Sequence, residues 1–334
     1  MAMINTFLYT LTPMLYLFIC IAIGFALRRF NAVPDNSGTV LAKLENWVFC
    51  PALSFMTAAT YLNAENISQH GVNMLLSCVV MCFALSIAIL LSKVFVRENC
   101  YDRGVYAYAL MFGNFGFVGD PLVIALFGDE FFAYYKLFTL PLSVLCYVWG
   151  ISVLVPKEQG ESGAKVIIKR VLTPPTVALL IGVVVGLTGT LAYFPEFMLT
   201  SLNALKGCMG PVAMILAGIT IAGFDVKSML TNKKIYLATV LRLTALPTLN
   251  ITFLLGVITL LNKCFAFNIG YGAVFFTFFA YATPLGMNTI VFPQAYGGDP
   301  KTGAGMAMIS HTLCVISIPI MYSLLTLILG EPIL

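Results

Sequence analysis

The sequence contains very little charge for its length. Only 10% of its 334 residues are Asp, Glu, Lys or Arg, and 60% are hydrophobic, whereas a soluble domain has about 25% and 45–50%. A surface in contact with water needs more charge, so the composition indicates a membrane protein. The net charge is only +4, and the basic residues lie at the ends of apolar runs instead of along one stripe. This excludes a nucleic-acid-binding protein.

The sequence also lacks the motifs of enzymes and of cofactor sites. It contains no Walker loop, no G-x-S-x-G elbow and no H-E-x-x-H, and its two histidines, His70 and His311, lie in different segments. The nine cysteines are scattered without a C-x-x-C pair, which favours packing over metal or disulfide chemistry. We therefore predict a protein that is not an enzyme and has no cofactor, apart from a coupling ion.

Ten apolar runs are each long enough to cross a bilayer, which takes about 20 helical residues. They cover residues 7–27, 39–61, 72–96, 104–127, 132–155, 172–191, 202–223, 234–260, 270–296 and 305–329. The runs lack period-two alternation, which disfavours a β-barrel. The sequence thus predicts an all-α polytopic membrane protein with ten transmembrane helices.

The basic residues predict the orientation of these spans. Fifteen of the 18 lysines and arginines lie on the side of the membrane that carries the connections after spans 1, 3, 5, 7 and 9. The remaining three, Lys136, Lys206 and Lys263, lie on the opposite side. By the positive-inside rule the fifteen face the cytoplasm. We expect a multi-pass protein of the cytoplasmic membrane with both termini on the extracytoplasmic side. Arg242 and Lys206 are interpreted as residues near span ends that snorkel to the interface.

The two halves of the sequence are weakly similar to each other. Pro51 in span 2 and Pro211 in span 7, for example, occupy comparable depths. Because each half contains five spans, an odd number, a duplication places the second half upside down, as in many secondary transporters. We predict inverted repeats at 1–155 and 172–334, joined by a cytoplasmic connection at 156–171.

Span 4 contains residues that interrupt a membrane helix. Its segment GNFGFVGDPLVIALFG includes three glycines in its first half and the polar residue Asn114. Asp120 followed by Pro121 is typical of a helix start, with Asp as the N-cap and Pro at the first helical position. We predict two half-helices with an unwound joint from Gly116 to Asp120.

Span 9 contains a corresponding interruption in ATPLGMNTIVFPQAYGG. Its second half-helix starts either at Thr283-Pro284 or at Asn288-Thr289. Two interrupted segments at matching places in two halves indicate a transporter binding site. The N–H groups and positive dipole ends of the half-helices there face an anion, while free carbonyls hold a cation.

Four polar residues in these spans and in span 10 are the candidates for coupling and binding. A carboxylate inside the membrane is costly and thus a functional candidate, so Asp120 either holds a coupling cation such as Na⁺ or a proton, caps the second half-helix, or contacts the substrate. Asn114 and Asn288 either line the site or bond between helices. Asn288 and Thr289, opposite Asp120, are also expected to help hold the coupling cation or proton. His311 either titrates near neutral pH or is a packed residue.

Several motifs resemble the auxin efflux carrier family, which includes plant PIN-type carriers and bacterial relatives proposed to move malonate or malate. They are FCPALSF in span 2, the glycine-rich segment of span 4, LTPPTVALLIGVVVGL in span 6, and P-x3-N-x7-YG in span 9. The resemblance implies ten helices in two inverted repeats, the broad fold of bile-acid symporters. It also implies a scaffold of spans 1, 2, 6 and 7, a moving group of spans 3–5 and 8–10, and a homodimer.

The resemblance also assigns site residues, with two departures. Asn114 matches the family's site asparagine, Pro121 its first crossing proline, and Pro284 the first proline of span 9. Gly116 and the Asn288-Thr289 pair complete the predicted substrate site, and this pair stands where the PIN-type carriers have a second crossing proline. Asp120 stands where those carriers have an apolar residue.

These observations predict a secondary active transporter of small organic acid anions. The substrate is a mono- or dicarboxylate, malonate-, malate- or auxin-like, carried by an elevator mechanism and coupled to Na⁺ or H⁺. One alternative is a membrane metabolite sensor with a transporter-like fold, although no connection is long enough for an output module. Another is an uncoupled uniporter or channel.

Overall fold

The chain is almost entirely helical. The computed structural model describes residues 2–98, 100–154, 173–223, 232–265, 269–296 and 298–330. Within these ranges no strand is present, and the only β-type pairing is an isolated antiparallel bridge between Gly113 and Leu285. The predicted connection at 156–171 and Gly297 of the span 9 motif lie outside the described residues. The all-α prediction is confirmed for the remainder.

In the first part of the chain, the described residues up to 154 form six helices. They are α1 (Ala2–Arg29), α2 (Ser37–Leu44), α3 (Cys50–Tyr61), α4 (Ala64–Phe95), α5 (Tyr101–Met111) and α6 (Asp120–Leu154). Two π-helical turns precede α3 and α6, at Glu45–Phe49 and Phe115–Gly119. α6 is interrupted at Gly128, whose φ of 79° lies in the left-handed region that glycine adopts without steric cost. This interruption separates predicted spans 4 and 5.

In the second part, the described residues from 173 to 330 form seven helices. They are α7 (Pro174–Thr188), α8 (Glu196–Ala222), α9 (Lys233–Val240), α10 (Leu246–Phe265), α11 (Gly272–Tyr281), α12 (Asn288–Tyr296) and α13 (Lys301–Leu329). A third π-helical turn, Leu241–Ala245, joins α9 to α10. α7 begins with two prolines, which are tolerated where the N–H groups have no helical partner, and it ends before Gly189 at φ 65°.

Among the residues that the structure describes, six helical segments are long and apolar enough to cross a membrane. They are Thr10–Arg29, Gly71–Phe95, Phe131–Leu154, Glu196–Ala222, Lys233–Phe265 and Lys301–Leu329. They coincide with six of the ten predicted spans, and the other four predicted spans coincide with helices that are shorter or interrupted. This supports a multi-pass membrane protein, and the ten-span arrangement as two inverted repeats stays a prediction.

Glycines bring helices from the two parts into backbone contact. α1 packs along α8, and a Cβ on Gly24 would overlap the backbone of Ile215. On the facing helix, a Cβ on Gly218 would lie 2.6 Å from the nitrogen of Phe25. α3 likewise packs along α7, where a Cβ on Gly182 would lie 2.6 Å from a backbone oxygen. Small residues at such contacts let membrane helices approach closely.

Candidate functional site

The interruption of span 4 lies at residues 112–114. α5 ends at Met111, and the helix resumes with the π-helical turn that begins at Phe115. The carbonyl of Asn114 accepts hydrogen bonds from the N–H groups of Val118 and Gly119, at 2.9 and 3.1 Å. The predicted joint from Gly116 to Asp120 is therefore wrong, because this segment is already helical.

The interruption of span 9 covers residues 282–287. α11 ends at Tyr281 and α12 begins at Asn288, so the Asn288-Thr289 alternative for the helix start is confirmed and Thr283-Pro284 is wrong. The hydroxyl of Thr289 donates to the carbonyl of Gly286 at 2.9 Å, which stabilises the first turn. Proline and glycine in the joint leave backbone groups without helical partners.

The two interruptions cross, and each supplies hydrogen-bond partners to the other. The N–H of Asn114 donates to the carbonyl of Pro284 at 2.7 Å, and the N–H of Gly286 donates to the carbonyl of Phe112 at 3.3 Å. A Cβ on Gly286 would lie 3.2 Å from the carbonyl oxygen of Gly113, so the chains approach closely here. Backbone groups that a membrane helix leaves open are satisfied at this crossing.

A cavity of about 110 Å³ lies beside the crossing. Since one water takes roughly 10–15 Å³ on this measure, the cavity has room for a solute of several non-hydrogen atoms. It lies between α3, α7 and α8 on one side and the crossing with α6 on the other. Its polar lining residues are Ser54, Thr57, Asn114, Asp120, Lys136, Ser143, Thr176 and Asn288.

The beginnings of both resumed helices line this cavity. Phe115, Gly116 and Phe117 come from the start of the helix that continues into α6, and Met287 and Asn288 come from the start of α12. The first N–H groups of a helix have no partner within it, and its N-terminus carries about half a positive elementary charge. Two such ends at one cavity favour an anionic ligand.

Asp120 does not cap a helix, and a lysine is its ion-pair partner. Its φ of −56° and ψ of −55° are helical, so the predicted capping role is wrong. The carboxylate is 1% exposed, and Lys136 Nζ lies 2.6 Å from its Oδ2, whereas Oδ1 has no partner among the described residues. Lys136, which the sequence places at the outer end of a span, instead lines the cavity. The pair places two charges of opposite sign at the site.

Glu45 is a second buried acidic residue. It lies in the π-helical turn before α3, is 3% exposed, and lines a smaller cavity of about 20 Å³ that Asn288 also lines. The Cys50 thiol lies 3.9 Å from its Oε2, and its Oε1 has no partner among the described residues. Asp120, the carboxylate that the sequence places inside the membrane, is therefore not the only buried one among the described residues.

Asn114 and His311 form a hydrogen-bonded pair at the crossing. Asn114 Nδ2 lies 3.1 Å from His311 Nε2, and His311 Nδ1 lies 2.8 Å from the carbonyl oxygen of Ala307. Because a carbonyl only accepts, Nδ1 carries the hydrogen and Nε2 of the neutral ring accepts from the amide. The histidine is 3% exposed, and Asn114 rather than His311 borders the cavity.

The predicted substrate-site residues divide into two groups. Asn114, Gly116 and Asn288 line the cavity together with Asp120, and the Asn288 amide donates to the sulfur of Cys146 at 3.1 Å. The other three residues do not line the cavity. Pro121 lies beside Gly210 of α8, and Pro284 contributes its carbonyl to the crossing. Thr289 is buried in the first turn of α12.

Arg242 is the largest departure from the sequence prediction. Its side chain is 2% exposed and lies in the π-helical turn between α9 and α10. The interpretation that it snorkels to the interface is therefore wrong, because neighbouring helices enclose the guanidinium. The signal in the sequence is a single charge about two and a half turns inside the helix that begins at Lys233.

The described residues offer no cluster suited to a transition metal. Within the ranges that the structure covers, no three His, Cys, Asp or Glu side chains come together. The arrangement brings together one ion pair, two amide side chains and two helix N-termini around a small cavity. Groups of these kinds can bind and orient a solute and can hold a proton.

Comparison with known proteins yields a family model and two archaeal relatives. The model, described as a membrane transport protein, matches residues 9–322. An uncharacterized transporter of Methanocaldococcus jannaschii is 23% identical over 219 residues, which cover 62% of this chain and 68% of the relative. An uncharacterized transporter of Methanothermobacter thermautotrophicus is 24% identical over 221 residues, which cover 64% and 69%.

Proposed function

The chain belongs to the membrane transport protein family, that of the auxin efflux carriers, and from this premise we propose that it is a secondary carrier of small organic acid anions. The observation that carries the proposal is the crossing of two interrupted helices beside a cavity lined by both of their N-termini. An anion at this position interacts favourably with two positive helix ends. The amides of Asn114 and Asn288 provide hydrogen-bonding groups for a carboxylate.

The position of the cavity supports an elevator mechanism. One wall comes from α3, α7 and α8, and the other comes from the crossing and α6. We propose that predicted spans 1, 2, 6 and 7 form a scaffold, since glycine contacts tie α1 to α8 and α3 to α7. Spans 3–5 and 8–10 then move as one group with the substrate. This assignment takes the two halves as inverted repeats of five helices.

The pairing of Asp120 with Lys136 supports coupling to a proton. The ammonium group of Lys136 already occupies one carboxylate oxygen, so a Na⁺ ion at Asp120 would lie beside a second positive charge. We propose that a proton on Asp120 releases Lys136, whose ammonium then pairs with the carboxylate of the substrate. One proton thus accompanies the anion. His311 supports the site by positioning the Asn114 amide.

We place the protein in the cytoplasmic membrane with both termini outside, on the charge asymmetry of its connections. We also propose a homodimer, as in the family that it resembles. Its ligands are then a small organic acid anion and the surrounding lipid.

The proposal is tested by counterflow in proteoliposomes loaded with unlabelled malonate or malate. We expect the wild-type protein to accumulate the labelled acid transiently, and to take it up faster when the opposite compartment is made alkaline, with no response to Na⁺. Saturable counterflow distinguishes a carrier from a channel. If no acid of the panel undergoes counterflow, the proposed function is wrong.

Two variants separate coupling from transport. Asp120→Asn is expected to retain counterflow and to lose the response to a pH gradient. Asp35→Asn is the matched control, because Asp35 pairs with Arg28 in an exposed connection after α1. If Asp120→Asn keeps the full response to the gradient, Asp120 does not carry the proton.

A further inference from the structure

Arg242 carries a permanent charge in the interior of the protein. Its Nη1 donates to the carbonyl of Leu110 at a long 3.5 Å, and its Nε and Nη2 have no partner among the described residues. Neither of the ion pairs that the structure describes includes it. An arginine does not lose its proton in a protein, and burying an uncompensated charge is costly. Such a charge requires a compensating source of negative potential.

That source is the meeting point of two helix C-termini. Leu110 belongs to the last turn of α5. A Cβ on Gly113 would overlap both Arg242 Nη2 and the hydroxyl of Thr283, and it would lie 3.1 Å from the carbonyl oxygen of Ala280 in the last turn of α11. The guanidinium therefore lies against the ends of both helices, where carbonyl groups lack helical partners. Thr283 Oγ1 is also buried without a partner among the described residues.

The crossing without Arg242 would have little net potential. Each helix terminus carries about half an elementary charge, negative at the C-terminus and positive at the N-terminus. Two C-termini and two N-termini meet within a few residues, so their contributions nearly cancel. The charged residues of the cavity lining, Asp120 and Lys136, also compensate each other before the proposed proton binds to Asp120.

We infer that Arg242 sets the anion selectivity of the cavity by neutralising the C-termini of α5 and α11. The N-termini that line the cavity then keep their positive potential. Because Arg242 does not line the cavity, it affects the anion only through the two helix ends. It is therefore a positioning residue that determines selectivity. The inference rests on the proposed function, which supplies the anionic substrate.

The charge is tested by adding a carboxylate beside it. In Thr283→Asp we expect the new carboxylate to pair with Arg242, because Arg242 Nη2 and Thr283 Oγ1 both overlap the position that a Cβ on Gly113 would take. We expect this variant to be at least as heat-stable as Thr283→Asn, its uncharged control of the same shape. We also expect its affinity for malonate to fall roughly tenfold or more, since charges in the interior are weakly screened. A merely structural arginine would gain stability without losing affinity for the anion.

Removal of the charge provides an independent test. Arg242→Gln is expected to lose affinity for malonate, whereas Arg242→Lys, which keeps the positive charge, is expected to retain it. Arg29→Gln, at the exposed end of α1, is the control and is expected to behave as wild type. Binding is measured by calorimetry in detergent, with the uncharged analogue malonamide as a second ligand. The ratio of the malonate to the malonamide affinity is expected to fall only in Arg242→Gln and Thr283→Asp.

The outcomes separate the two proposals. If the wild-type protein binds no organic anion, the proposed function fails and the inference fails with it. If the wild type binds malonate and Thr283→Asp binds it equally well, only the inference is overturned. A Thr283→Asp variant that is less stable than Thr283→Asn would also overturn it, because the carboxylate would not be pairing with Arg242.

Discussion

Asp120 and Lys136 form a buried ion pair, and we expect the contributions of the two side chains to the free energy of unfolding to be strongly coupled. Breaking a buried pair typically costs about 3–5 kcal/mol, because one charge is left without a partner. The side chains are 2% and 16% exposed, and the lysine borders a cavity, so we take the lower limit. Lys136→Met should therefore lower the free energy of unfolding by about 3 kcal/mol, which is more than a hundredfold in the folding equilibrium constant.

The double variant should recover most of this loss. Asp120→Asn combined with Lys136→Met removes both charges of this pair, and replacement of a buried ion pair by neutral groups is often close to neutral. We expect it to be about 1 kcal/mol less stable than wild type. The coupling energy from the double-mutant cycle is then about 2 kcal/mol or more.

Reversible unfolding in mixed micelles by added SDS provides the measurement. The fluorescence of the two tryptophans reports the transition, and Trp149 stacks on Tyr108 with ring centroids 6.4 Å apart. The pair Arg28–Asp35 serves as the control, since exposed pairs contribute about 0–1 kcal/mol. A coupling energy for Asp120 and Lys136 no larger than that of this exposed pair would refute the reasoning.

Three further predictions concern the crossing and the helix contacts. Gly113→Ala should destabilise the protein by about 1–3 kcal/mol in the same SDS titration, because the methyl group overlaps Arg242; unchanged stability would contradict the described approach. Gly218→Val should lower the melting temperature by separating α1 from α8, whereas a variant that melts like wild type would contradict the contact. His311→Phe leaves the Asn114 amide without its acceptor and should cost about 1–3 kcal/mol, most of which His311→Gln should restore.

The sequence predicts that spans 4 and 9 are interrupted, but it does not predict the contacts that surround the interruptions. Asn114 and Asn288 mark the two breaks because glycine, proline and amides do not continue a membrane helix, and both residues line the cavity. Asp120 before Pro121 has the pattern of a helix cap, but its actual partner, Lys136, lies 16 residues further along after the turn at Gly128. Local spacing does not reveal a contact made across a helical hairpin.

The sequence does not predict that single charged side chains are buried. Glu45 and Arg242 each lie near one end of an apolar run, where hydropathy alone is consistent with an interfacial side chain. Both belong to π-helical turns enclosed by neighbouring helices. Such turns are frequent at functional sites, yet their positions depend on packing against segments far away in the sequence. Gly113 and Arg242, for instance, meet only in the folded protein.

The mutual hydrogen bonds of the two interruptions also have a consequence for biosynthesis. Gly113 and Pro284 are 171 residues apart in the sequence (284 − 113). At a translation rate of about 5–20 residues per second, the second segment leaves the ribosome about 9–34 s after the first. During that time the carbonyl of Phe112 and the N–H of Asn114 lack their final partners. We therefore expect the insertion machinery, or water that it admits, to stabilise the first half until the second half arrives, and a chain truncated before Pro284 to be degraded faster than the full chain.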